Sequence, residues 1–183
     1  MRKHIALIAI AVLIVGGAAF AEEKSAMDLP VYPGGEATME INMGNQDILP
    51  MLKAMLPMLS GKLGKMGAKI NPEDLAAALK DVKQIELLQV DVAKPEVTEN
   101  DVAGFYAKNL PAGNWTRIFW QSLQKSGTVA IYSQSGGDGL YGFRVQSTVV
   151  DSKPVRRVLA LKTQGKIDYV KLLEMAGKLM ARS

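Results

Sequence analysis

WTRIFWQSLQKSGTVAIYSQSGGDGLYGFRVQSTVVDSKPVRRVLALKT, residues 115–163, is the stretch on which the fold turns. Four runs rich in β-branched and aromatic residues, WTRIFWQSL, TVAIYSQS, LYGFRVQSTVV and VRRVLALKT, are separated by KSG, GGDG and DSKP. Such runs, bounded by Gly, Asp, Ser and Pro, predict one hairpin after another. The stretch reads as a four-stranded antiparallel meander.

Downstream, GKID leads into a predicted final helix. Asp168 stands at its cap, and Tyr169, Leu172, Leu173, Ala176, Leu179 and Met180 recur at helical spacing. Upstream, Thr98 followed by Asp101 resembles a capping box, opening a helix through Val102, Phe105, Tyr106 and Leu110. IELLQVDV, residues 85–92, predicts a central strand. Asn71-Pro72-Glu73-Asp74 has the chemistry of a helix start, and that helix would carry Leu75, Ala78, Leu79 and Val82. In GEATMEINMG the residues Ala37, Met39, Ile41 and Met43 alternate with polar ones, as in a half-buried strand.

Residues 47–70, DILPMLKAMLPMLSGKLGKMGAKI, hold four methionines, two prolines and four lysines. Ile48, Met51, Leu52, Met55, Leu56 and Leu59 fall at helical spacing after a potential cap at Asp47. Pro57 lacks an N–H and predicts a kink near Leu56. The expected fold is therefore α+β: a largely antiparallel sheet, ending in the four-stranded meander, with helices packed on one face.

The first 21 residues have the pattern of a secretory signal peptide. Arg2, Lys3 and His4 precede the apolar run 5–15, and Ala19-Phe20-Ala21 is a small-x-small cleavage site. Export to the periplasm or exterior is expected, with a flexible lead-in over residues 22–35 and a single domain over 36–183. Arg2 and Lys3 supply two of the four net positive charges, so the processed chain is nearly neutral and no nucleic-acid partner is implied. The chain has no cysteine, and its one histidine is His4. The processed protein would thus have no thiol or imidazole for a Ser-His-Asp or Cys-His site, nor for the usual zinc and blue-copper ligand sets.

The segment from about Asn71 to Met180 resembles a family of exported bacterial proteins, domain-of-unknown-function family 4252. The matching features are the helix near Phe105-Tyr106, then Trp115 to Ser122, then VAIYSQ, and the closing pattern VLALKTQGKIDYVKLLEMAGKL. The resemblance implies an α+β fold and export. No catalytic residues belong to that family's pattern, so it assigns none here.

Several residue sets carry candidate chemistry. Met51, Met55 and Met58 stand at i, i+4 and i+7, and soft thioethers on one helix face can bind Cu(I). Methionine filling irregular core space is the simpler reading. Lys53, Lys62, Lys65 and Lys69 border the same segment, and a basic amphipathic helix can lie on an anionic membrane. Ser122-Leu123-Gln124-Lys125 matches the S-x-x-K motif but ends a predicted strand, whereas that chemistry needs a helix N-terminus. Gly136-Gly137-Asp138-Gly139 joins two predicted strands, so a hairpin turn outweighs a phosphate loop. A small hydrolase would need two carboxylates brought together from Glu86, Asp91, Asp138 and Asp151.

The preferred functional reading is a non-enzymatic domain, without cofactor or metal, that binds a protein partner or an apolar ligand. Its expected surface comprises Met51, Met55 and Met58 together with Trp115, Phe119, Tyr132, Tyr141 and Phe143 on a sheet face left open by the helices. The alternative is a membrane-surface or lipid-binding role for residues 47–70.

Overall fold

A computed structural model describes residues 27–48, 50, 77–123, 127–168 and 171. Among the described residues, six strands and one complete helix follow in the order β1 (Glu36–Gly44), β2 (Val82–Val92), α1 (Glu99–Lys108), β3 (Trp115–Leu123), β4 (Gly127–Gln134), β5 (Leu140–Val150) and β6 (Lys153–Gly165). They make one six-stranded sheet in the order β1-β2-β6-β5-β4-β3, antiparallel at every pairing.

The meander runs from β3 to β6 as its turn chemistry predicts. Asp151 and Ser152 both adopt positive φ, 49° and 64°, and Val150 pairs with Lys153 across them. Two left-handed residues match the twist of the strands they join, which keeps β5 and β6 in register. β6 then pairs along its whole length with β2, and β1 adds outside β2. The chain leaves β2 on one side of the meander and enters β3 on the far edge, so the connection must cross a sheet face. α1 is that connection, and it packs on β4 and β5.

The expected α+β architecture is corrected: this is a largely β fold. Among the described residues only the ten-residue α1 lies on the sheet as a complete helix, against strands of 8 to 13 residues. Helical spacing overreaches where a strand begins. Val82, expected at the end of a helix, is the first residue of β2 and is fully buried in it. Helical backbone after β1 starts at residue 45, two before the expected cap at Asp47. Most of the helices expected over 47–59, 71–82 and 168–180 lies outside the described residues. Asp168 does accept a hydrogen bond from the Lys171 N–H at 3.1 Å, the geometry of an N-cap.

Both faces of the sheet are apolar, because neighbouring residues on a strand point to opposite sides. Face 1, under α1, buries Leu88, Val90, Val92, Tyr132, Tyr141, Phe143, Val145, Val158 and Ala160 against Val102, Ala103 and Tyr106. The other, face 2, buries Ile85, Leu87, Ile131, Leu140 and Leu161, with Met39, Ile41, Met43 and Phe119 packed beside them. Residues 27–35, within the stretch expected as a flexible lead-in, dock on face 1. Leu29 is buried in the face 1 cluster, and Met27 and Tyr32 pack against it. An apolar residue in a short polar segment gives no periodicity to read, so this docking was not legible.

Candidate binding surface

The five aromatics expected on an open face do not form one. Tyr132, Tyr141 and Phe143 are buried on face 1, and Trp115 packs half-buried beside them. Phe119 is half-buried on face 2. The rings of face 1 make a connected series from Tyr32 through Phe105, Tyr106 and Phe143 to Tyr141 and Trp115, with centroids 5.1 to 6.1 Å apart. α1 closes over this face, so these side chains are core. Met51, Met55 and Met58 lie outside the described residues, as do the lysines of the alternative membrane reading.

Among the described residues, the exposed aromatic is not one of those expected. Trp120 keeps 40% of its surface in solvent, and Ile118 keeps 37%. Strict alternation along WTRIFW would put Trp115, Arg117 and Phe119 on one face and Trp120 on the other. The pairing of β3 with β4 shifts register between Arg117 and Phe119. An extra residue in one strand reverses the sidedness of everything after it. Trp120 thereby joins Trp115 and Arg117 on face 1, and Phe119 moves to face 2.

Trp120 is held but not covered. Its ring stands edge-on to Phe143, with centroids 6.0 Å apart and planes at 82°. The Arg117 guanidinium carbon lies 5.4 Å from the ring centroid, within range of cation–π attraction. Arg117 pairs across the ladder with Tyr132. Burial raises the Tyr132 phenol above its ordinary value, and the positive charge of Arg117 offsets part of that rise. β3 is an outer strand of the sheet, so its outward N–H and C=O groups have no strand neighbour among the described residues. The surface therefore combines an anchored Trp, a stacked Arg, an exposed Ile and an open backbone ladder.

The other candidate constellations resolve differently. Ser122 lies in β3 and hydrogen-bonds the Thr128 hydroxyl at 3.1 Å, which in turn donates to Glu99 Oε1 at 3.1 Å. No helix N-terminus presents this serine, so the S-x-x-K chemistry has no frame here, and Lys125 lies outside the described residues. Residues 136–139 close a β4–β5 hairpin, with Gln134 N–H donating to Gly139 O at 3.0 Å. Glu86 and Asp91 are separated by the sheet: Glu86 faces Lys162 on face 1, while Asp91 makes a two-pronged bond to Arg157 at 2.7 and 2.6 Å. They cannot share a substrate.

A buried ionic group went unpredicted. Lys162 and Glu86 pair across β2 and β6, their side chains 6% and 3% exposed. Lys162 Nζ lies 3.6 Å from Glu86 and donates to Asp28 Oδ2 at 2.8 Å. Asp28 N–H donates to Glu86 Oε2 at 3.0 Å. Long-range pairs of this kind leave no local sequence signal. No family model, no curated protein and no solved structure matches the chain.

Proposed function

We propose that this chain is an exported, non-catalytic domain that binds a protein partner by offering edge strand β3 to an extended segment of it. The observation that carries this reading is Trp120: large, half in solvent, braced by Phe143 and Arg117, and set in an edge strand. Trp and Arg dominate the energetic centres of protein interfaces because each brings large area or several donors in a rigid form. An open edge supplies main-chain hydrogen bonds to an added strand, while side chains beside it set specificity. The register shift at Arg117/Phe119 limits indiscriminate pairing, since a bulged edge accepts only a strand that fits around it.

A random peptide library displayed on phage tests this for partner segments of any sequence. Panning against the purified chain should enrich extended peptides with alternating apolar residues. Their affinity should fall at least about tenfold on Trp120→Ala and on Arg117→Ala, the loss of about 1.4 kcal/mol or more that marks an interface centre. Peptides that bind both variants as well as the parent chain, or no enrichment at all, would overturn the reading.

A further inference from the structure

Residues 27–35 cross face 1 as a strap, and their contacts are those of a docked peptide. The Asp28 amide donates to Glu86 and the Asp28 carboxylate accepts from Lys162. The Leu29 side chain enters the face 1 cluster. The Tyr32 ring meets Phe105 edge-on at 5.1 Å, and the Pro33 carbonyl accepts from Lys94 Nζ at 3.2 Å. The floor is a built site, because Glu86 and Lys162 are both more than nine-tenths buried and their polar ends are directed at the strap. It selects an extended segment with a carboxylate next to a branched aliphatic residue.

We propose that a second copy of this chain fills the slot by exchanging its own strap. Each polar anchor joins the strap to a residue at least 58 positions along the sequence, so any copy of the segment can make the same bonds. The strap turns back on itself through the bond from Gly35 N–H to Tyr32 O at 2.8 Å. Within that turn Gly34 holds φ of +77°. Opening this turn converts the strap from a folded-back cover into an arm. Exchange then conserves the Asp28 and Leu29 contacts and changes only the hinge, with the Pro33 bond in it, and the cost of association, the condition under which swapped dimers form. The anchors that must release are few, and Asp28 is already 49% exposed.

Charge reversal separates exchange from a purely intramolecular cover. Asp28→Lys sets a second ammonium group against Lys162 in the slot, and Lys162→Asp gathers three carboxylates there, Asp28, Glu86 and the introduced one. Each variant alone should be monomeric by sedimentation velocity. In an equimolar mixture, reciprocal exchange seats the introduced lysine of one chain on the introduced aspartate of the other. The second slot of that dimer regains the parental pair of Asp28 and Lys162. A shift to dimer mass in the mixture is expected, with the double variant Asp28→Lys/Lys162→Asp behaving as the parent does at the same concentration. A mixture that stays monomeric while both variants are folded would overturn the proposal.

If Lys162→Asp does not fold, the parent sequence decides. The absence of cysteine allows single-site labelling at Val31→Cys, a position 44% exposed. Donor- and acceptor-labelled chains mixed near the effective concentration of a short tether, about 1 mM, should develop energy transfer that Asp28→Lys abolishes. No transfer, or transfer that Asp28→Lys leaves unchanged, would overturn exchange. Either result leaves the β3 reading independent, because Trp120→Ala does not touch the strap.

Discussion

Gly127 opens β4 with φ of +84°, and a Cβ there would collide with the carbonyl oxygen of Val145. Both the left-handed backbone and the close approach of β5 demand glycine. Gly127→Ala should therefore destabilise by about 3 kcal/mol in urea unfolding. A loss below about 1 kcal/mol would mean that the turn relaxes freely. This glycine was legible as turn chemistry, whereas the buried Glu86–Lys162 pair was not, since only the pairing of β2 with β6 creates it. Breaking such a pair from one side strands a buried charge. Lys162→Met should lower stability by about 3 kcal/mol, and Glu86→Leu added to it should recover most of that loss. A double variant as weak as the single one would show that the bonds of Lys162 and Glu86 to Asp28, rather than their mutual pairing, set the effect. Trp120 was missed for a different reason: alternation assigns sidedness, and one extra residue in β3 inverts it.

At the scale of elements, the four runs of the meander were readable because turn residues separate them and each run is long. β2 was readable in its middle and not at its start, where Val82 sits in a stretch that also satisfies helical spacing. Helical spacing alone could not mark that boundary, because a buried valine suits either element until its strand partner is known. α1 was readable from its cap. Thr98 Oγ1 accepts from Asp101 N–H at 3.2 Å, and the Asp101 carboxylate accepts from the Thr98 N–H and hydroxyl at 2.9 and 2.6 Å. Those bonds from the Thr98 hydroxyl and backbone hold the Asp101 carboxyl below its ordinary value of 3.8. A depressed carboxyl contributes stability that is present above its unfolded value and is lost as pH falls through the folded one. Thr98→Ala should accordingly speed amide exchange at Asp101 and Val102 near neutrality. The gap between variant and parent should narrow below pH 3.8 as Asp101 protonates and the carboxylate's share of the cap is lost, while the Thr98 Oγ1 bond to the Asp101 N–H persists in the parent. An equal gap at neutral and strongly acid pH would show that the reciprocal bonds do not set the helix end.

For the whole molecule, the crossing of α1 over face 1 makes one continuous aromatic core of residues that start on the strap, the helix and three strands. The fold's response to alkali follows from it. Burial raises the Tyr106 and Tyr141 phenols well above their ordinary value of 10.0, and in Tyr141 the neighbouring Tyr106 and Tyr132 push in the same direction. The Tyr141 hydroxyl reaches the Tyr106 carbonyl only at 3.5 Å, and Tyr106 Oη makes no hydrogen bond of good geometry among the described residues. Little in the core would stabilise either phenolate. Above pH 10 the unfolded chain releases these protons while the folded chain keeps them, so the unfolded state binds fewer protons and stability falls as pH rises. Each tyrosine contributes a slope approaching about 1.4 kcal/mol per pH unit, and the two together about 2 to 3. Urea midpoints taken between pH 9 and 11 should be level up to about 10 and then drop. Tyr106→Phe/Tyr141→Phe should remove most of the drop while leaving stability near neutrality little changed, because neither hydroxyl makes a short, well-aligned hydrogen bond that the substitution would cost. A parent chain whose midpoint stays level through pH 11 would mean that the phenols ionise in place, and that face 1 is open to water rather than sealed by α1 and the strap.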